Sequence, residues 1–431
     1  MYNNERIIAE NTVDKCIEDG RLSGDSRIIL FGAGQYSRAL IDILGSRGIP
    51  VLNILDNNPA KTHSYCKGVE VIAPSDADCY SDEDSRFILC SKYWREMHTQ
   101  LIGSGANEKS IIVIKLSTYG ETLAENVKDL IQGRRIYRNI MKQYQKHKIL
   151  FCPYSGSGDI YLIGSFLESY LEKERLEKYV LVVVSNACER VASLFHIESI
   201  FNIGGMENSR ALTKYYMSCP HDCNMTIMND SWEYIYTNPV EGLRGLYGMN
   251  FADMFRIFVF GLDADVLPRH PQLQDRSKEL ERIISEKGLV RGRTVLFAPY
   301  ADTLTELPFD FWKELACRLQ DKGYVVCTNL GSKEETEVEG TVGINFPLDI
   351  APHLVNWMGG FIGVRSGFCD VISGTDARKV ILYDKANLFF HASAYDYFSL
   401  KAMHLSEDAV EIQFDNRCPE VVLESVLGAF R

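Results

Sequence analysis

An aspartate near the middle of the chain follows a turn that is rich in glycine and serine. The turn lies between a predicted strand and a predicted helix, and it consists of Ser155, Gly156, Ser157, Gly158 and Asp159. Glycines can adopt positive φ and so allow a tight turn. An acid in the first turn of a helix caps free N–H groups and interacts favourably with the helix dipole. The same carboxylate could instead act as a general base, if a substrate hydroxyl came within hydrogen-bond reach.

A second turn of this kind occurs late in the chain, after a strand predicted at 360–364. Its candidate functional residues are Arg365, Ser366, Gly367 and Asp370. A glycine turn at a helix start presents N–H groups to an anion such as a diphosphate. Arg365 could add a bidentate charge-assisted contact, and Ser366 a hydroxyl contact. The alternative for Arg365 is an ion pair with Asp370 or another acid, and the sequence leaves both open.

A polar loop at 299–306 follows the strand predicted at 294–297. Open α/β sheets bind ligands at the carboxyl ends of their parallel strands. Tyr300, Asp302 and Thr303 are therefore candidates to bind the same ligand as the turn at 365–370. Thr303 could equally cap the helix that we expect to begin at Phe309.

Near the N-terminus, a predicted strand leads into a Gly-x-Gly turn and a helix. The candidate residues of this turn are Gly32, Gly34, Gln35 and Ser37, with Ser37 in place of the third glycine of a dinucleotide-binding fingerprint. Asp56 lies 22 residues after Gly34, where a ribose-binding acid would stand. The pattern predicts a nucleotide or NAD as the ligand of this segment. The alternative is that the turn only packs a strand against a helix, with no cofactor.

Two cysteines and a histidine form the densest cluster of metal-ligand residue types, and they are Cys219, His221 and Cys223. A structural zinc site needs four ligands, and no second pair at a suitable spacing accompanies them. We therefore expect an ordinary loop here and no metal in the protein, with zinc as the alternative.

Alternating strands and helices must position these turns. Short apolar runs that end at turn residues and precede amphipathic stretches predict three α/β units. The near-continuous apolar strand at 179–184 is typical of a parallel sheet buried on both faces. We expect further strands within 191–203 and a buried helix or pocket wall within 246–262. The predicted organisation is a Rossmann-like module at 1–120, a linker helix at 121–147, and two further halves at 148–288 and 289–431.

The predicted linker helix is basic in its second half. Its basic residues are Arg134, Arg135, Arg138, Lys142, Lys146 and Lys148. A solvated helix face is the simpler explanation of such a run, and we favour it. The alternative is docking onto an anionic acceptor or a membrane surface.

Composition and charge exclude several classes of protein. The chain has 431 residues, of which 46% are hydrophobic and 24% charged, as in a globular protein rather than a disordered one. The chain has a net charge of -12 and lacks the surplus of basic residues that nucleic-acid-binding proteins use to contact phosphates, so we expect no nucleic-acid partner. The sequence has no apolar run long enough to span a membrane, and its first residues lack the order of a signal peptide. We therefore expect a cytoplasmic protein with free thiols.

Residues 148–431 resemble heptosyltransferase-type glycosyltransferases at three places. The turn at 155–159 resembles the Gly-Gly-x-Gly-Asp motif that opens their acceptor domain. The segment 295–315 resembles their strand, donor loop and tryptophan-containing helix start, and 365–370 stands where they have a D-T-G-x-x-H turn. The resemblance implies the GT-B fold, in which two Rossmann-like halves face each other across a cleft. It also implies that Asp159 is the general base for the acceptor hydroxyl.

The sequence departs from that family at the donor side. The turn at 365–370 keeps the family's glycine but neither its aspartate nor its histidine, and the loop at 299–306 has no lysine. Donor identity, and heptose as the transferred sugar, are therefore not implied. Residues 25–75 separately resemble the small Rossmann-like domain of bacterial polysaccharide-biosynthesis proteins, which binds a nucleotide sugar or is a degenerate structural module.

The resulting hypothesis is a metal-independent inverting glycosyltransferase of bacterial surface polysaccharide synthesis. It would move a sugar from a nucleotide-sugar donor to a glycan or lipid-linked glycan acceptor and need no cofactor, with peripheral contact to the inner face of the membrane. One alternative is an NAD-dependent nucleotide-sugar oxidoreductase or epimerase that uses the N-terminal module. A second alternative is a non-catalytic scaffold of polysaccharide synthesis.

Overall fold

The computed structural model divides the chain into two units. It describes residues 3–77, 80, 82, 84–90, 94–114, 119–218, 224–228, 249–273, 276–301, 307–332, 335–384, 387–389, 392–415 and 417–430. One unit is Met1–Glu125 with Thr305–Leu307, and the other is Asn126–Leu304 with Pro308–Arg431. The second and third predicted Rossmann-like segments thus belong to the same unit.

The first unit contains a six-stranded sheet with helices on both faces. Its elements are α1 (Asn3–Glu18), β1 (Arg27–Phe31), α2 (Gln35–Gly45), β2 (Val51–Leu55), β3 (Tyr65–Cys66), β4 (Val69–Ile72), β5 (Ser85–Leu89), α3 (Trp94–Gly103), β6 (Ile111–Val113) and the start of α4 (Tyr119–Gln143). The strand order is β3-β4-β2-β1-β5-β6, and β3 alone in this sheet runs antiparallel to its neighbour. Successive residues of β1 point to opposite faces, so Ile28 and Leu30 enter one core and Ile29 and Phe31 the other. An apolar strand buried on both faces is the pattern that predicted a parallel sheet.

The second unit opens with a four-stranded parallel sheet. Its elements are β7 (Lys148–Phe151), α5 (Ser157–Glu174), β8 (Tyr179–Val183), α6 (Asn186–Ser193), β9 (Ile200–Asn202), α7 (Met206–Ser218), β10 (Met225–Ile227), α8 (Phe251–Met254) and α9 (Ser277–Lys287). The order is β10-β7-β8-β9. The strand expected within 191–203 is β9, and it is short because α6, whose N-cap Ser185 accepts a hydrogen bond from the Cys188 N–H, continues to Ser193. Within 246–262, α8 continues into a π-helical turn at Phe255–Val259.

A six-stranded parallel sheet forms the rest of the second unit. Its elements are β11 (Thr294–Ala298), α10 (Phe309–Asp321), β12 (Val325–Asn329), β13 (Val342–Ile344), α11 (Ala351–Met358), β14 (Gly359–Val364), α12 (Gly367–Val371), β15 (Arg378–Asp384), β16 (Asn387–Phe389), β17 (Ala392–Ser393), α13 (Ala394–Phe398), β18 (Val410–Phe414) and α14 (Pro419–Ala429). The order is β13-β12-β11-β14-β15-β18, with the pair β16-β17 apart from it. The predicted fold class is confirmed: the chain is α/β, with parallel sheets of Rossmann-like type.

The helix predicted at 121–147 spans Tyr119–Gln143, and the boundary between the units falls inside it. From residue 126 onward it belongs to the second unit, where Ile140 is buried in one core with Ile149 and Phe151. Among the helices that the structure describes, none combines the length and the hydropathy that crossing a bilayer requires.

Candidate functional site

The turn at 155–159 lies at the carboxyl end of β7. In the strand order, β7 stands between β8 and β10, so the connections after β7 and before β10 run to opposite sides of it. Open α/β sheets bind ligands at the carboxyl ends of the strands at such a position. Gly156 is the N-cap of α5, and Asp159 lies in the first turn of that helix, half-buried. The carboxylate of Asp159 lies against Gly156, so that a Cβ on Gly156 would collide with its Oδ2. Glycine at 156 therefore leaves the room that this orientation of Asp159 requires.

A buried thiol lies beneath the same turn. The Sγ of Cys188 lies 3.5 Å from the carbonyl oxygens of both Tyr154 and Ser155. Burial raises the pKa of Cys188, and the negative charge of Asp159 adds to that increase. The thiol is therefore protonated at neutral pH and donates to the turn rather than acting as a nucleophile.

The turns at 155–159 and 365–370 meet directly. A Cβ built on Gly158 would collide with Oδ2 of Asp370 and lie 3.0 Å from the Cα of Gly367. A Cβ on Gly367 would lie 2.5 Å from Oγ of Ser157 and 3.1 Å from the Cα of Gly158. The backbones of the two turns are thus in contact at a pair of glycines. The structure brings together the two motifs that the resemblance assigned to the acceptor and donor sides.

Arg365 and Asp370 form a buried ion pair under the second turn. Nη2 of Arg365 lies 2.6 Å from Oδ1 of Asp370, and the two side chains are 4% and 1% exposed. The other donors of Arg365 are also engaged, with Nε donating to the Phe398 carbonyl at 2.8 Å and Nη1 donating to the Ser366 carbonyl. Of the two roles left open for Arg365, the ion pair is therefore the one observed. Both side chains lie buried beneath the turn, and direct contact of either with the donor stays a prediction.

Burial shapes the protonation of this pair. It raises the pKa of Asp370 to about 6, because desolvation outweighs the attraction of Arg365. Burial is the largest single influence on Arg365 and would lower its pKa, but the charge and hydrogen bond of Asp370, together with Tyr383 and Cys369, outweigh it, so this pKa lies above the ordinary value. As the pH falls through about 6, Asp370 becomes protonated and the pair loses its negative partner.

The loop after β11 begins next to the second turn. Ala298 at the end of β11 pairs with Gly363 of β14, so the loop and the turn leave the sheet at the same edge. The hydroxyl of Tyr300 donates to the Thr336 carbonyl at 2.6 Å and accepts from the Thr336 N–H at 3.1 Å. Tyr300 is thus bound to another loop of its own sheet. Asp302 and Thr303 lie outside the described residues, and so does the alternative capping role of Thr303.

The glycine turn of the first unit is closed by its own side chains. Oδ2 of Asp56 accepts from the Ala33 N–H at 2.7 Å, and Oδ1 accepts from the Asn58 N–H at 2.8 Å. Nζ of Lys61 lies 3.3 Å from the same Oδ2 and donates to the Ala33 carbonyl at 2.7 Å. Asp56 therefore holds the turn itself, where the sequence predicted a contact to ribose.

The remaining residues of that turn support this interpretation. Gly32 has a φ of 96°, which favours glycine. Ser37 is buried, and its hydroxyl donates to the Gly32 carbonyl at 2.5 Å. Gly34 is the exposed N-cap of α2, and Gln35 begins that helix. The contacts favour the alternative in which the turn packs a strand against a helix.

The cluster of metal-ligand residue types, which we expect to be an ordinary loop, lies outside the described residues. Its members are Cys219, His221 and Cys223. Within the part of the chain that is described, no group of three or more His, Cys, Asp or Glu side chains could hold a metal ion.

A hydrogen-bond chain that the sequence did not indicate lies behind the two turns. The hydroxyl of Tyr161, on α5, lies 2.9 Å from Nδ1 of His270, and the Ser373 hydroxyl lies 3.4 Å from the same oxygen. Ser373 also donates to the Asp370 carbonyl at 2.7 Å. Tyr161 and Ser373 are 212 positions apart, so no local pattern links them. The only sequence signal was the Pro-Arg-His-Pro segment that contains His270.

Comparisons with known proteins give likenesses for both parts of the chain. Residues 24–112 match the family model described as C2185-like, N-terminal. No curated protein matches the chain. One similar solved structure is ADP-heptose lps heptosyltransferase II from E. coli, with 18% identity and a TM-score of 0.47, covering 65% of this chain and 98% of that one.

Two further structures are similar over the same share of the chain. A glycosyl transferase family 9 protein from Veillonella parvula has 14% identity and a TM-score of 0.41, covering 65% of this chain and 95% of its own. An E. coli heptosyltransferase solved with ADP has 11% identity and a TM-score of 0.42, covering 65% of this chain and 99% of its own. All three similar structures are of glycosyltransferases.

Proposed function

We propose that residues 126–431 form an inverting glycosyltransferase that moves a sugar from a nucleotide-sugar donor to a carbohydrate acceptor. The observation that supports it most is the contact between Gly158 and Gly367, which sets the turn of Asp159 against the turn at 365–370. Transfer requires a base and a donor to lie within a few ångströms of each other. Two turns that meet at glycines from separate sheets provide such an arrangement.

Asp159 is the proposed general base. The acceptor oxygen attacks the anomeric carbon while the bond from that carbon to the donor phosphate oxygen breaks, and the nucleoside diphosphate leaves with the electron pair. The hydroxyl proton passes to the carboxylate of Asp159, and the configuration at the anomeric carbon inverts. Half-burial suits this role, because the carboxylate remains reachable while much of the surrounding water is excluded. Ser155 and Ser157 are the proposed acceptor-side hydroxyls of the same turn.

The proposed donor contacts come from the turn at 365–370 and the loop at 299–306. Ser366 and Gly367 are half-buried, so their hydroxyl and backbone N–H groups can reach a diphosphate. Arg365 and Asp370 are positioning residues, because their ion pair fixes the turn from beneath. Tyr300, Asp302 and Thr303 are proposed to contact the donor from the loop. The hydroxyl and backbone N–H groups among these residues would donate hydrogen bonds to the leaving diphosphate, and we propose that no metal takes part.

The acceptor and the pathway are proposed as well. The proposed acceptor is a glycan or a lipid-linked glycan, and the proposed pathway is bacterial surface polysaccharide synthesis. The donor base is open, and ADP belongs among the candidates, because one of the similar heptosyltransferase structures holds it. A nucleotide or NAD bound by the first unit has less support, since Asp56 and Lys61 close the turn.

The test is nucleotide release by the full chain from ADP-, UDP-, GDP- and CMP-sugars, with Asp159→Asn as the variant. We expect the variant to lose on the order of 100-fold or more in rate, the usual contribution of a general base, while donor-induced thermal stabilisation is unchanged. Glu174→Gln is the matched control, because it neutralises an exposed carboxylate in the last turn of the same helix. That variant should keep the wild-type rate.

Two results would count against the proposal, and they are distinguishable. If Asp159→Asn keeps most of the wild-type rate, the base assignment is wrong. If the wild-type protein releases no nucleotide from any of these donors in the presence of glycan acceptors, transfer itself is wrong, and the scaffold alternative gains support.

A further inference from the structure

The helix α4 carries an exposed cationic face that the proposed reaction does not use. Residues 126–143 contain one acid, Asp129, which is buried. Every lysine and arginine of this stretch is exposed, and they are Lys128, Arg134, Arg135, Arg138 and Lys142. None of these five forms an ion pair with any residue that the structure describes. The surface formed by them together with Val127 and Ile131 is called the α4 face below.

The opposite side of α4 is fixed to the second unit. Asp129 accepts from Nε of Arg210 at 2.9 Å and from Nζ of Lys214 at 2.6 Å. A Cβ on Gly133 would overlap the backbone carbonyl of Ala211, so the two helices approach too closely for any side chain there. The helix therefore cannot turn to bury its cations, and the α4 face points to solvent as a fixed surface.

The members of the α4 face follow helical spacing. Six of its seven residues, at 127, 131, 134, 135, 138 and 142, recur at three- or four-residue spacing, which places them on one side of the helix, and Lys128 lies at the margin of that side. At about 1.5 Å per residue, this side is about 22 Å long. Val127 and Ile131, at its N-terminal end, are 51% and 68% exposed. A cluster of four to eight basic side chains on one side of a helix is the pattern that binds anionic lipid headgroups, and the two aliphatic side chains lie in line with it.

The overall charge makes this face distinctive. The chain has a net charge of -12, so an anionic surface repels most of it and attracts this helix. An orientation with α4 against the surface follows from that contrast.

We propose that the α4 face docks the protein onto a bilayer containing anionic phospholipid. The attraction is electrostatic, and each basic residue near such a surface contributes roughly fivefold in partitioning. Val127 and Ile131 add a smaller, salt-insensitive contribution by entering the headgroup region. This docking goes beyond the proposed transfer reaction and does not depend on it.

The test is sedimentation of the full chain with vesicles, using Arg134→Gln, Arg135→Gln and Arg138→Gln together. Wild-type protein is expected to bind vesicles of 70% phosphatidylcholine and 30% phosphatidylglycerol but not pure phosphatidylcholine. The triple variant should lose on the order of 100-fold in partitioning, the product of three fivefold effects. Raising the salt from about 0.1 to 1 M shortens the screening length from about 10 to 3 Å and should release the wild type.

The matched control removes three cations from another exposed helix of the same unit. Lys278→Gln, Arg282→Gln and Lys287→Gln change α9, whose cations alternate with acids, and should leave vesicle binding unchanged. Nucleotide release should be the same in both triple variants, which separates loss of docking from loss of transfer.

Three results would overturn the docking proposal. The wild type would fail to bind the anionic vesicles, or the α4 variant would bind them as well as the α9 control does. The third is binding through the α4 face to polyglutamate but not to vesicles, which would identify an acidic protein as the partner.

Discussion

Replacing Gly367 by alanine tests whether the two turns touch as described. The new methyl group would collide with the backbone N of Gly158 and would lie 2.5 Å from Oγ of Ser157 and 3.1 Å from the Cα of Gly158. The serine hydroxyl can rotate away, but the backbone of α5 cannot, so the turns must separate by on the order of 1 Å to restore ordinary contact distances. Overpacking of this kind costs about 1–3 kcal/mol of folding free energy.

The cost should be visible in thermal unfolding and in activity. For a domain of this size, 1 kcal/mol shifts the midpoint by about 2–4 °C, so Gly367→Ala should lower it by roughly 2–12 °C. A displacement approaching 1 Å between reacting groups can cost on the order of 100-fold in rate, so nucleotide release should fall by more than the loss of folded protein explains.

Gly428→Ala is the matched control. It lies on α14, is exposed, and has nothing within 4 Å of a built Cβ. Alanine is the better helix former by up to about 1 kcal/mol, so this variant should be as stable as wild type or slightly more stable. If Gly367→Ala has the same unfolding midpoint and the same rate of nucleotide release as Gly428→Ala, the turns are not in contact and the prediction is refuted.

Three further outcomes are expected. Tyr161→Phe removes the buried hydroxyl that lies 2.9 Å from Nδ1 of His270, and it should lower the free energy of unfolding in urea by about 1–2 kcal/mol. An unchanged unfolding midpoint would contradict the hydrogen bond between Tyr161 and His270. Burial, with a smaller effect of Lys379, lowers the pKa of His270 below 6.5, so its contribution to stability is present above pH 6.5 and is lost as the pH falls. The stability gap between wild type and His270→Gln should therefore narrow from pH 8 to pH 5, and a gap that widens would refute this. Asp129→Asn removes the carboxylate that accepts from Arg210 and Lys214 of α7, and it should lower the free energy of unfolding by about 1–3 kcal/mol in chemical denaturation. An unchanged free energy of unfolding would show that these hydrogen bonds are not formed.

Local patterns in the sequence predict much of the fold. The helix expected to begin at Phe309 spans Phe309–Asp321, because its apolar residues recur at helical spacing and a proline precedes it. The strand β11 is a run of apolar residues between polar turns, so its type and place follow directly. The length of the strand within 191–203 did not follow, since the helix that Ser185 caps continues to Ser193.

The strand β18 carried a pattern that was not used. In Val410–Phe414 the apolar residues alternate with Glu411 and Gln413, which is the period-two signal of a half-buried strand, here at the edge of the sheet, but no strand was expected there. Glu411 is held by distant partners: it accepts from the Tyr383 hydroxyl and, at 2.8 Å, from the Ser399 hydroxyl. Tertiary contacts of that kind are not encoded by spacing along the chain.

The candidate site was predicted in its parts but not in its assembly. The glycines, Asp159 and the turn at 365–370 could be named from residue types and from resemblance. The contact between Gly158 and Gly367 joins residues 209 positions apart, which needs the packed structure. Arg365 and Asp370 are close enough in sequence for the ion pair to be foreseen, but only burial decides between a pair and a ligand contact.

The measurement that tests the central claim most directly is thermal unfolding of the full chain with UDP, GDP, ADP, CDP, CMP, NAD and NADP in turn. A nucleotide at about 100 times its Kd adds about 2.7 kcal/mol to the free energy of unfolding, which shifts the midpoint by several degrees. The proposed glycosyltransferase predicts that one nucleoside mono- or diphosphate stabilises the protein and that NAD and NADP do not. Stabilisation by NAD or NADP alone would contradict it and would move the chemistry to the turn of Gly32 and Asp56.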